Sequence, residues 1–103
     1  LVVLTQPKGF RKVPPRRLTP FYRSYFRRFP AVVQALLRRW ALYNETLDEI
    51  EALEESGRAI VFRPEHVRVR SYERKIDRLA EAYALGREQA LREVDSWLEF
   101  CGL

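Results

Sequence analysis

The sequence predicts an α/β chain: a fragment of a three-layer parallel-sheet fold, with elements in the order strand, helix, helix, strand, helix. Three observations predict it. The opening run LVVLT is apolar without polar alternation, as in a strand covered by helices on both faces. The stretch 43–64, YNETLDEIEALEESGRAIVFRP, reads as the back half of an amphipathic helix, a glycine stop and a short apolar strand. Helix, tight turn and buried strand are the unit of an α/β fold. Finally, two parallel strands joined by a helical crossover are too little sheet to cover Val2, Val3 and Leu4. The missing strands are expected from a preceding segment or from another chain, and the start on Leu1 reads as the cut end of something longer.

The first strand, 1–5, is closed by Pro7. Residues 8–20, KGFRKVPPRRLTP, form a loop, because Pro14 and Pro15 forbid helix and Gly9 invites a turn. A connection of this length is usually functional or mobile. Thr19-Pro20 reads as a helix start, a capping hydroxyl followed by proline in the first turn. The helix 21–29 then gathers Phe21, Tyr22, Tyr25, Phe26 and Phe29 in one arc, with Arg23 and Arg27 opposite and Arg28 at the edge. Pro30 ends this helix and opens the next, 30–56. Its buried stripe is Val32, Val33, Leu36, Trp40, Tyr43, Leu47 and Ile50. Gly57 supplies the left-handed residue that ends it.

The second strand is 59–62, closed by Pro64. A connector, 64–70, leads to Ser71, which reads as the cap of a third helix with Glu73 in its first turn. Ile76, Leu79, Ala80, Tyr83, Ala90, Val94 and Trp97 carry one face of that helix through Gly86. A glycine there costs about 1 kcal/mol against alanine, so another backbone approaching closely, or a break, is expected. Glu88 and Arg92 are spaced for an ion pair, and Gly102 fits the end.

Charge is unevenly placed. The 103 residues carry a net +5, but residues 1–44 hold ten Lys or Arg and no acid, while 45–103 hold nine Lys or Arg and fourteen acids. In the helix 30–56 the arginines come first and the acids last, which opposes the helix dipole at a few tenths of a kcal/mol per charge. Such a layout fits a basic face meeting an anionic partner, or two halves that attract each other.

Chemistry-bearing motifs are few. There is no G-x-S-x-G, phosphate loop, G-x-G-x-x-G or H-E-x-x-H. His66, the single histidine, reads as a loop residue rather than a general base. The acids at 45–55 read as a solvated helix face rather than a metal site. Cys101 has no disulfide partner and reads as a free structural thiol. No cofactor and no metal is expected. With no secretory signal and no apolar run of about 20 residues, the expected place is the cytoplasm, at a membrane surface or free of it.

The stretch FYRSYFRRFP, with Arg16 and Arg17 before it, is the sharpest local feature. Arg16, Arg17, Arg23, Arg27 and Arg28 are candidates for contact with an anionic surface: lipid headgroups first, nucleic acid second. The competing reading packs the rings on the domain and leaves the arginines solvated or paired with the acidic part.

VVLTQPKGFRK, YRSYFRRFP, YNETLDEIEALEESGRAIVFRP and LAEAYALGREQA, in that order, resemble the C-terminal region of bacterial patatin-like phospholipases. The matching positions are Leu4, Thr5, Pro7, Gly9, Pro30, Tyr43, Asn44, Gly57, Arg63, Pro64, Leu79, Tyr83 and Gly86. None belongs to a catalytic signature. The resemblance implies a parent enzyme that hydrolyses lipid esters with a serine–aspartate dyad. Its serine lies in G-x-S-x-G and its aspartate in D-G-A/G, and both motifs fall upstream of this chain. Residues 1–5 would then be a late strand of the catalytic sheet and 6–103 a mostly helical C-terminal extension, structural and without catalysis of its own. The implied partner is the upstream catalytic domain or another copy of the chain. The alternative is a basic, aromatic-rich binding module for anionic membrane or nucleic acid.

Overall fold

A computed structural model describes residues 1–103. In chain order its elements are strand β1 (Val2–Val3), helix α1 (Thr19–Tyr25), helix α2 (Pro30–Glu55), strand β2 (Val61–Phe62) and helix α3 (Ile76–Phe100). The three-layer α/β expectation is overturned: the chain is 56% helix and 4% strand, and its only sheet is β1 beside β2. The two strands run parallel with Val2 opposite Val61 and Val3 opposite Phe62. The pairing stops early for local reasons. Val2 N–H donates to Ile60 C=O and Leu4 N–H to Phe62 C=O, both at 2.9 Å, and then Pro7 and Pro64 close the two runs without an N–H to offer. An apolar run makes sheet only where neighbouring strands exist to accept its hydrogen bonds. LVVLT and AIVF find only each other.

The chain forms two compact units, Arg11–Ala52 and Leu1–Phe10 with Leu53–Leu103. In Arg11–Ala52, α2 buries Val33 and Leu47. Leu36, Trp40 and Tyr43 on the same stripe are half-buried, and Val32 is exposed. The loop before α1 is tied to α2. Arg11 bridges Asp48 at 3.0 Å and Glu51 at 2.9 Å, so two of the acids that oppose the helix dipole have a cation at hand. The ammonium of Lys12 lies 4.1 Å from the centre of the Tyr43 ring. Helix α1 starts differently from expectation. Leu18, not Thr19, occupies the cap position. The Thr19 hydroxyl instead donates back to Pro15 C=O at 3.0 Å, a competition open to any threonine near a free carbonyl.

In the other unit the core is Phe62, whose ring meets the edge of Trp97 at 5.5 Å and 89°. Gly57, at φ +71°, lets the chain leave α2 through a left-handed residue. Gly57 N–H donates to Glu54 C=O at 3.0 Å and Arg58 N–H to Leu53 C=O at 2.9 Å, the paired bonds of a Schellman motif. Ser71 caps nothing. Glu73 takes the N–H groups of Arg74 and Lys75 at 3.0 and 3.1 Å, which holds 71–75 as a turn, and α3 begins at Ile76. Gly86 neither breaks α3 nor receives a neighbouring backbone; a methyl group built there would meet nothing within 4 Å.

Candidate functional site

Residues 16–32 make a surface of arginines and rings. Arg16, Arg17 and Leu18 form a turn, α1 follows, and a second turn carries Phe26, Arg27 and Arg28 to the start of α2. Proline in the first turn of α1 and again at Pro30 sets both starts, where a missing N–H costs nothing. Leu18, Phe21, Tyr25, Phe29 and Val32 recur at three- and four-residue steps. All five are exposed, Phe21 by 55%, Tyr25 by 70% and Phe29 by 62%. Phe21 and Tyr25 stack at 5.4 Å and 20°, and Tyr25 and Phe26 meet edge to face at 4.8 Å. Only Tyr22 and Phe26 of this stretch turn partly inward.

The five arginines named from the sequence, Arg16, Arg17, Arg23, Arg27 and Arg28, are all exposed, and none forms an ion pair. The same holds for Arg38 and Arg39 of α2, which that set omitted. Arg23 on α1 and Arg27 in the turn after it stand beside a shallow cleft of about 350 Å³ whose other walls include Phe26, Pro30, Val33 and Leu37. Arg16, Arg17 and Arg28 lie outside that cleft. The expectation that the rings pack inward therefore fails for Phe21, Tyr25 and Phe29. The chemistry on offer is a cationic surface with apolar rings projecting from it.

The unit Leu1–Phe10 with Leu53–Leu103 is polar at its centre. Gln89 on α3, 6% exposed, accepts Glu65 N–H at 2.9 Å and donates to Arg63 C=O at 2.8 Å and to the Glu93 carboxylate at 2.8 Å. Arg63 pairs with Glu54: Nη1 donates to Oε1 at 2.8 Å, and Nη2 lies 2.8 Å from Oε2 without a hydrogen bond of its own. The hydrogen bond from Arg63 holds the Glu54 carboxyl below its ordinary range, against the opposing effect of burial, with Lys8 adding at longer reach. Arg92 grips Glu65 through both carboxylate oxygens at 2.9 and 2.8 Å. Its expected partner Glu88 is further off, at 3.7 Å.

His66 is exposed beside a cleft of about 250 Å³ shared with Pro64, Glu65, Leu85, Gly86 and Gln89. No hydroxyl or thiol lines that cleft. Cys101 is exposed at the end of α3 rather than built into the interior. No three His, Cys, Asp or Glu side chains gather as metal ligands, and no helix is long and apolar enough to cross a membrane. Sequence reading missed Gln89, and it named Asn44 only among the positions of the resemblance, with no bonding role. The backbone groups that each amide binds lie more than twenty positions away, so periodicity carries no trace of them.

Residues 29–102 match the family model DUF6363, a domain of unknown function. No curated protein and no solved structure matches the chain.

Proposed function

We propose that this chain, which belongs to the DUF6363 family, is the structural C-terminal part of a patatin-like serine acyl hydrolase. In this reading lipid ester hydrolysis is carried out by a serine–aspartate dyad upstream of Leu1. The chain braces that catalytic domain, contributes no catalytic group and works in the cytoplasm.

One observation carries the reading: the unpartnered face of α3. Ile76, Leu79, Tyr83 and Gly86 fall within one arc of the helix. Ile76 is 82% and Tyr83 73% exposed, and a methyl group built on Gly86 would meet nothing within 4 Å. The unit they belong to buries a single apolar side chain, Phe62. A helix with a wetted apolar stripe gains little from folding until something covers it. Leu79, Tyr83 and Gly86 are also among the positions that resemble the acyl hydrolase family, and the helix around Gly86 leaves room for another backbone. The free edges of the β1–β2 pair, with Leu1 and Val3 exposed, supply further surface for the same neighbour. A second copy of the chain is the competing neighbour.

The coding sequence immediately upstream of Leu1 is the first test. G-x-S-x-G and D-G-A/G encoded there are the expected result, and an upstream frame holding neither overturns the reading. The second is ester release by the 103 residues alone. No turnover is expected; turnover abolished by changing Ser24, Ser56, Ser71 or Ser96 would place catalysis inside the chain and sink the proposal.

A further inference from the structure

We infer that the surface of residues 16–32 is a docking site for an anionic lipid bilayer. Arg16, Arg17, Arg23, Arg27 and Arg28 pair with lipid headgroups there, while Phe21, Tyr25 and Phe29 enter the headgroup layer. The inference is independent of the acyl hydrolase reading.

Charge complementarity comes first. Seven exposed arginines between 16 and 39 have no acidic partner, and the stretch 1–44 contains no acid that could supply one. Guanidiniums spread over two turns and two helices do not converge on one small anion. They suit a surface that offers an anion wherever a guanidinium falls, as a headgroup layer does. The second argument is the set Leu18, Phe21, Tyr25, Phe29 and Val32, interleaved along the chain with those arginines and exposed throughout. Rings flanked by arginines lie in the plane of a membrane interface, and no helix of the chain crosses one.

The rings also choose between bilayer and nucleic acid. A single-strand binder holds ring faces open so that bases stack on them. Here Phe21 and Tyr25 stack on each other at 5.4 Å and Tyr25 is met again by Phe26. One face of each of these two rings is therefore already taken, which leaves less ring surface for bases to stack on.

The test is cosedimentation of the full protein with vesicles of phosphatidylglycerol and phosphatidylcholine, against vesicles of phosphatidylcholine alone. Binding is expected only to the first and is expected to weaken with salt. R23Q and R27Q each lower the partition about fivefold, the worth of about 1 kcal/mol per basic residue at an anionic surface. F21A and Y25A weaken binding but keep its salt dependence. R74Q/R87Q removes two equally exposed, unpaired arginines outside the surface and leaves the partition unchanged; an equal loss there would reduce the effect to net charge and overturn the inference. Phe21→Trp reports the depth of entry, with a blue-shifted emission expected on anionic vesicles. Equal binding to neutral vesicles, binding to single-stranded nucleic acid alone, or no vesicle binding because the rest of the protein or a second copy covers the surface would each sink it.

Discussion

Asn44 closes two hydrogen bonds on the backbone of a single residue, Lys12. Its Oδ1 accepts the Lys12 N–H at 2.9 Å and its Nδ2 donates to the Lys12 C=O at 3.0 Å. An amide is the one side-chain group that can answer both halves of a peptide unit at once. The Pro- and Arg-rich loop is thereby fastened to α2, thirty-two positions further along, and leads into the surface of residues 16–32 from a fixed point. Asn44→Ala removes both bonds and is expected to cost about 2 kcal/mol, at about 1 kcal/mol each. Asn44→Asp keeps the acceptor and loses the donor, so it should fall between the two. Urea denaturation measures all three proteins; equal midpoints would mean the loop is not held there.

Gln89 plays the matching part in the other unit, between α3 and the segment after β2. Gln89→Leu keeps the volume and leaves Glu65 N–H and Arg63 C=O without their partner in a partly buried place. The expected cost is about 2–3 kcal/mol, visible as a lower denaturation midpoint and faster amide exchange at Glu65. Gln89→Glu should be worse near neutral pH than in acid, because its carboxylate cannot donate and would face Glu93, now 2.8 Å from the Gln89 amide nitrogen.

Two glycines, one just past the end of α2 and one within α3, should respond in opposite directions to the same change. Gly57 sits at φ +71°, so Gly57→Ala forces a side chain into the left-handed region at about 1–2 kcal/mol. Gly86 lies within α3 with open space around it, so Gly86→Ala should stabilise the isolated chain by up to about 1 kcal/mol. Thermal unfolding of the two variants beside the parent decides it.

The pair Arg63–Glu54 sets a pH dependence with a definite sign. Hydrogen bonding from Arg63 lowers the Glu54 pKa in the folded state below the ordinary 4.5. The contribution is therefore present in full above that value and is lost as pH falls through the depressed one. Glu73 acts in the same direction, chiefly because the Lys75 N–H bonds its carboxylate. Glu54→Gln should be less stable than the parent at pH 7, with the difference shrinking as the solution is taken below about 4. Denaturation midpoints collected down that range check it; parallel curves would separate Glu54 from the acid limb.

Helix α2 and the C-terminal end of α3 were legible because their signals are local. Pro30 opens α2 and Gly57 stops it, and each acts through its own backbone geometry and that of the residues beside it. Gly102, at φ +72°, ends α3 in the same way. The start of α3 was misplaced for an equally local reason that composition does not reveal: Ser71 and Glu73 both compete for N–H groups, and Glu73 holds two of them. The sheet was misread because LVVLT and AIVF state only a preference for burial. How many strands stand beside them depends on backbone hydrogen bonds to residues elsewhere, and here the pairing ends after two residues on each side.

The candidate surface divides along the same line. Arginines and rings at helical spacing are visible in the string of residues 16–32, and so is the absence of acids before Glu45. Whether Phe21, Tyr25 and Phe29 face inward or out, and whether Arg11 rather than Arg23 meets Asp48 and Glu51, follows from how the loop folds back on α2. Spacing along the chain sets which side chains share a helix face. Contacts between segments tens of residues apart set which of those faces are covered, because their chain-entropy cost is met only when the distant partners are already in place.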